Sequence, residues 1–174
     1  SDLMQVVIAA HAALLVLYLP EGDELYRTIT SIVLHPTTIE VHDGGMAPLA
    51  AGVPGLVAAG PVYLDGEAEH RGAVFLAWDA VERESRHPAA GEHVVYHEFA
   101  HRLDMIDHLS DGMPLIGDPA ARRRWAEVCT AEFDALQHSP DPHRLLRDYA
   151  GTGEAEFFAV ATEVFFTRGA ALRE

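Results

Sequence analysis

A chain of 174 residues with 49% apolar content is long enough to bury one core, and its single cysteine, Cys129, excludes an internal disulfide framework. The formal net charge of −15, with all 12 basic residues arginine, argues against nucleic acid as a partner. One domain spanning residues 1–174 is expected, and the lone thiol suits a reducing cytoplasm.

Leu3 to Leu19 holds no charged residue. At 17 residues, with Gln5 and His11 inside it and no basic segment ahead of it, this stretch reads as a buried core helix rather than a membrane span or a signal segment. Thr28 to Val41 alternates with β-branched residues and predicts one or two strands, interrupted at Pro36. Residues 43–60, rich in Gly, Ala and Pro, read as a long loop. Strands are expected over Val62 to Leu64 and Ala73 to Trp78, joined by the acidic turn Asp65-Gly66-Glu67. Pro88 to Gly91 breaks the chain before the apolar run Val94-Val95-Tyr96.

The next five residues, His97-Glu98-Phe99-Ala100-His101, form an H-E-x-x-H pattern on a predicted helix. Residues four apart share a helix face, so His97 and His101 can aim two imidazoles at one point. Zinc accepts neutral imidazole nitrogens in a tetrahedral shell, and this pair supplies half of one. Glu98, one position after the first histidine, flanks the metal without ligating it. There it can take a proton from a metal-bound water, the chemistry of peptide hydrolysis.

A third ligand is required. A metzincin-like arrangement places it at Asp107, but nothing at Asp104 breaks the helix. A continuing helix would rotate Asp107 away from the metal-facing side. The other arrangement takes a glutamate from a second helix. Asp118-Pro119 opens a helix running to about Gln137, and Ser139-Pro140-Asp141-Pro142 ends it. A further apolar helix, opened by Thr152 or Gly153, carries Glu156 and Glu163 seven residues apart on one face. Carboxylates among Phe and Val are costly to bury alone, and a divalent metal with its surrounding groups is a fitting partner.

His97 to Asp104, HEFAHRLD, resembles the HEFAHKLD signature of the MtfA (Mlc titration factor A) zinc peptidases. The similarity extends to Gly72-Ala73-Val74-Phe75-Leu76-Ala77-Trp78-Asp79, to Asp111-Gly112-Met113-Pro114, to the Ala155–Val160 segment AEFFAV, and to the apolar opening. The resemblance implies a site like that of the related anthrax lethal factor catalytic domain. His97 and His101 would be ligands, Glu98 the base, and Glu156 the third ligand. Tyr149, seven residues before Glu156, would donate a hydrogen bond to the developing oxyanion. Glu163 and Asp104 are the candidates to support the ligands from behind, Asp104 alternatively closing the helix end with Arg102 or Arg147.

This chain also departs from the related patterns. Val160 stands four residues after Glu156, where thermolysin-like sites place an acid, and Met105-Ile106-Asp107-His108 replaces the L-N-G often found after the signature. Relatives carry further sequence ahead of this point, so Ser1 is expected to be a boundary rather than a native start.

The expected fold is α+β and zincin-like, of the gluzincin type. A small mixed sheet would pack against the H-E-x-x-H helix and a second ligand-bearing helix. The expected function is peptide-bond hydrolysis with one Zn2+, on a peptide or protein substrate, away from membranes. The alternative is a regulatory protein-binding domain that sequesters a transcriptional repressor and keeps a structural or vestigial zinc site. Glu98 favours the enzyme, since a structural site would not require a base beside its ligands.

Overall fold

The computed structural model describes residues 1–19, 22–37, 72–138 and 144–173, in two compact units, Ser1–His87 and Pro88–Glu174. The expected 43–60 loop, the Val62 to Leu64 strand with its acidic turn, and the Ser139–Pro142 break lie outside the described residues.

In the first unit, α1 (Asp2–Val16) buries Ile8, Ala12, Leu15 and Val16, one stripe at helical spacing. The core helix expected here is thus a one-sided one, with Leu3, Val6 and Leu14 exposed on its other faces. The Tyr26 hydroxyl donates to the Ala12 carbonyl at 2.8 Å, tying the 3₁₀ turn Gly22–Tyr26 to the helix. Strands β1 (Ser31–His35) and β2 (Ala73–Ala77) pair in parallel, Ser31 opposite Ala73 through His35 opposite Ala77. The second strand ends one residue earlier than its sequence predicts. Trp78 opens α2 (Trp78–Arg86), an amphipathic helix not among the expected elements, which buries Ala80, Val81 and Glu84. The expected mixed sheet is a two-stranded parallel one among the described residues.

The second unit is helical. Its centre is the pair α3 (Val94–Asp104) and α5 (Glu154–Arg168), with Tyr96 stacked on Phe166 at 5.1 Å between ring centroids. Ala155 to Val160 are all buried, as are Glu163 and Val164, so α5 is enclosed on most sides. Helix α4 (Pro119–His138) starts where Asp118 predicts, its carboxylate accepting the Ala120 and Ala121 N–H groups at 3.1 and 3.2 Å. No residue of α4 is buried. It leans on α5 through edge-on contacts of Trp125 with Phe158 and of Phe133 with Phe157. Among the described residues no helix is long and apolar enough to cross a membrane.

The end of α3 differs from expectation. The α-helix stops at Asp104, and Met105–Asp107 form a 3₁₀ turn followed by left-handed His108, φ 69°. Asp107 turns its carboxylate back onto the Leu109 N–H at 3.1 Å. The local reason is side-chain competition: an aspartate that satisfies backbone two residues ahead favours a turn over a continued helix.

Candidate metal centre

Helix periodicity on α3 places His97 and His101 on one face, their rings edge-on with centroids 4.8 Å apart. Their Nε2 atoms are 3.2 Å apart. Glu156, in the first turn of α5, is 1% exposed and presents one oxygen to each ring. Oε2 lies 3.2 Å from His97 Nε2, and Oε1 lies 3.4 Å from His101 Nε2. Among the described residues, His97, His101 and Glu156 are the group of histidine and acid side chains able to hold a metal ion. A tetrahedral shell with bonds of about 2.0–2.1 Å has edges of about 3.3–3.4 Å, so the spacing of the two nitrogens suits such an ion. Two imidazole nitrogens and a carboxylate are also the donor set of an open zinc site.

Behind His97 stands Glu163, also 1% exposed. His97 Nδ1–H donates to Glu163 Oε1 at 2.7 Å, and the N–H of His93, the N-cap of α3, donates to Oε2 at 2.7 Å. With Nδ1 so engaged, Nε2 is the nitrogen turned to Glu156 and His101. Arg147 completes the carboxylate, Nη2 to Oε1 at 2.7 Å and Nη1 to Oε2 at 3.0 Å. Arg147, weighed in sequence as a partner for Asp104, therefore pairs with Glu163 instead. A carboxylate buried among Phe and Val calls for a cation, but nothing in the sequence says which arginine supplies it.

The electrostatics follow from burial among acids. Desolvation pushes His97 down, but hydrogen bonds to Glu156 and Glu163, with the charge of Glu98, outweigh it and lift the ring to about 10. The three acids thus create a strong demand for positive charge at His97, which a proton or a metal ion can meet. Glu98, partly buried, is raised chiefly by desolvation, with His97 and His101 pulling the other way. Glu163 is also pushed up by desolvation, yet bonds from His97 and Arg147 more than compensate and hold it below the ordinary carboxylate range.

The remaining candidates sit around this group. The Tyr149 ring lies 6.1 Å from the His97 ring and 5.6 Å from Arg147 Cζ. It also packs against the buried cluster of Ala150, Phe157 and Val160. Asp104 is buried at the end of α3, and its Oδ2 accepts the Gly112 N–H at 3.1 Å. Its contact in the structure is thus with the returning loop. Asp107 lies outside the ligand group.

A sequence model of the glucose-regulated metallo-peptidase M90 family matches residues 1–174. The chain is 34% identical over 171 residues to Mlc titration factor A of Serratia proteamaculans, covering 94% of this chain and 61% of that protein. It is 30% identical over 183 residues to Mlc titration factor A of Edwardsiella ictaluri, covering 100% and 65%. An uncharacterised protein of Synechocystis is 31% identical over 176 residues, covering 99% and 62%. The chain therefore spans less than two thirds of the length of these relatives.

Proposed function

The chain belongs to the glucose-regulated metallo-peptidase M90 family, and from that premise we propose that residues 1–174 are one gluzincin-type catalytic domain hydrolysing peptide bonds with zinc. The observation that carries the reading is the convergence of His97, His101 and Glu156, with Glu98 one residue along the same helix. Zinc held there would polarise the scissile carbonyl and supply a nucleophile at neutral pH.

The chain's own groups supply the rest. The Glu98 carboxylate takes a proton from the attacking water and returns it to the leaving amine. Its raised affinity for protons, from desolvation, makes it a stronger base for the first of these transfers. Glu163 holds His97 with Nε2 forward. Tyr149 donates its phenolic hydrogen to the oxyanion as it develops. Asp104 anchors the loop after α3 rather than orienting a ring. The substrate is a peptide or protein, met in the cytoplasm, where a lone unpaired Cys129 is at home.

Glu98→Gln should keep zinc and lose peptidase activity by about two to four orders of magnitude, the usual worth of a general base. Metal content and cleavage of a peptide library, measured on both proteins, check this. Cleavage by Glu98→Gln at the wild-type rate would sink the mechanism in which Glu98 is the base.

Relatives named Mlc titration factor A favour a second reading, in which the domain binds a transcriptional regulator and zinc is structural. Zinc-loaded protein that cleaves no library peptide but captures such a regulator equally well with Gln at position 98 would decide for it.

A further inference from the structure

Glu163 has both oxygens fully engaged. Oε1 accepts from His97 Nδ1 and Arg147 Nη2, and Oε2 accepts from the His93 N–H and Arg147 Nη1, all at 2.7–3.0 Å. Two of those four bonds come from one guanidinium, whose planar fork fixes the carboxylate in both position and plane. Arg147 belongs to neither ligand helix. It is the N-cap of the 3₁₀ turn Asp148–Thr152, which carries Tyr149, and its Cζ stands 5.6 Å from the Tyr149 ring centroid. One side chain therefore joins three elements around the metal group: the Tyr149 turn, α5 through Glu163, and α3 through His97 and His93.

We infer that Arg147 is a positioning residue for the metal centre, acting through Glu163 on His97 and directly on the Tyr149 ring. The inference rests on the metal-centre reading above. Without the fork, Glu163 keeps one donor on each oxygen, from His97 and His93, and its plane is held less firmly. His97 then loses the fixed acceptor that keeps Nδ1–H turned away from the ligand group. A merely structural ion pair would make a different prediction, since any cation at residue 147 would serve it. The fork geometry demands arginine, because a lysine ammonium is a point charge that cannot bridge both oxygens in plane.

Arg147→Gln and Arg147→Lys are compared with wild type in the whole protein, with melting temperatures confirming that each folds. Zinc affinity is read by competition with a chromophoric chelator. Exchange of the His97 Nδ1–H is read by nitrogen-edited NMR of the imidazoles, with and without zinc. Arg147→Gln should weaken zinc on the order of tenfold or more, the low end for groups behind a metal ligand, and speed Nδ1–H exchange in both states. Arg147→Lys should recover the melting temperature but not the slow exchange. Wild-type affinity together with wild-type exchange in Arg147→Gln would overturn the inference, as would full recovery of both by lysine. If wild type bound no zinc, the metal-centre reading would fail by itself. Exchange in the metal-free proteins would then decide the role of Arg147: faster exchange in Arg147→Gln upholds it, and unchanged exchange rejects it.

Discussion

At His97 two carboxylates divide one imidazole between them, Glu163 on Nδ1 at 2.7 Å and Glu156 at Nε2 at 3.2 Å. Their spacing of seven residues predicts a shared helix face, but not which of them meets which nitrogen. Tyr149 poses a sharper question, because its ring both nears His97 and packs against the cluster of Ala150, Phe157 and Val160. If its hydroxyl serves the oxyanion, Tyr149→Phe lowers kcat by about a hundred- to a thousandfold. KM and zinc content stay close to wild type, the pattern of an interaction made mainly in the transition state. Steady-state kinetics on one good library peptide check this. An unchanged kcat assigns Tyr149 to packing.

Among the elements, the loop after α3 is held at Gly112, which has φ 69°. Its N–H donates to Asp104 at the end of α3, and its carbonyl accepts the Trp125 indole N–H of α4 at 3.2 Å. A Cβ at this position would stand 2.5 Å from the Glu154 carbonyl oxygen, in the first turn of α5. Gly112→Ala therefore meets both a left-handed backbone and a backbone clash, at a cost of about 1–3 kcal/mol. The strain falls two residues from Glu156, so zinc affinity should drop along with melting temperature. Thermal denaturation and chelator competition check both effects. Alanine tolerated with wild-type stability and affinity would show that the loop shifts without consequence for the site.

For the molecule as a whole, zinc bound to the native state and not to the unfolded chain adds to stability by mass action. At a free concentration a hundredfold above Kd the gain is about 2.7 kcal/mol, or roughly 5–10 °C for a protein of this size. Chelator-treated protein should melt lower by that interval and recover on adding zinc. Glu156→Ala should show no zinc-dependent shift, and Asp107→Ala should show the wild-type one. The reverse pair of results would move the third ligand to Asp107.

Local covalent geometry explains what was legible in the chain alone. The facing of His97 and His101 follows from helical spacing, the start of α4 from Asp118-Pro119, and the start of α5, to within a residue, from Thr152 or Gly153. The signature from His97 to Asp104 adds the family, which the match over residues 1–174 bears out. Each of these signals lies within a few residues of the feature it specifies. Even the end of α3 had a local cue, Asp107, but its turn-forming bond to Leu109 competes with helix continuation, and pattern alone does not choose. The packing of α3 against α5 decided that Glu156 meets both rings while Glu163 stands behind one. The path of the turn before α5 decided that Arg147, rather than any of the other eleven arginines, supplies the cation that makes burying Glu163 affordable. Those pairings join residues up to 70 positions apart, where no periodicity carries information and only the fit of folded surfaces selects the partner.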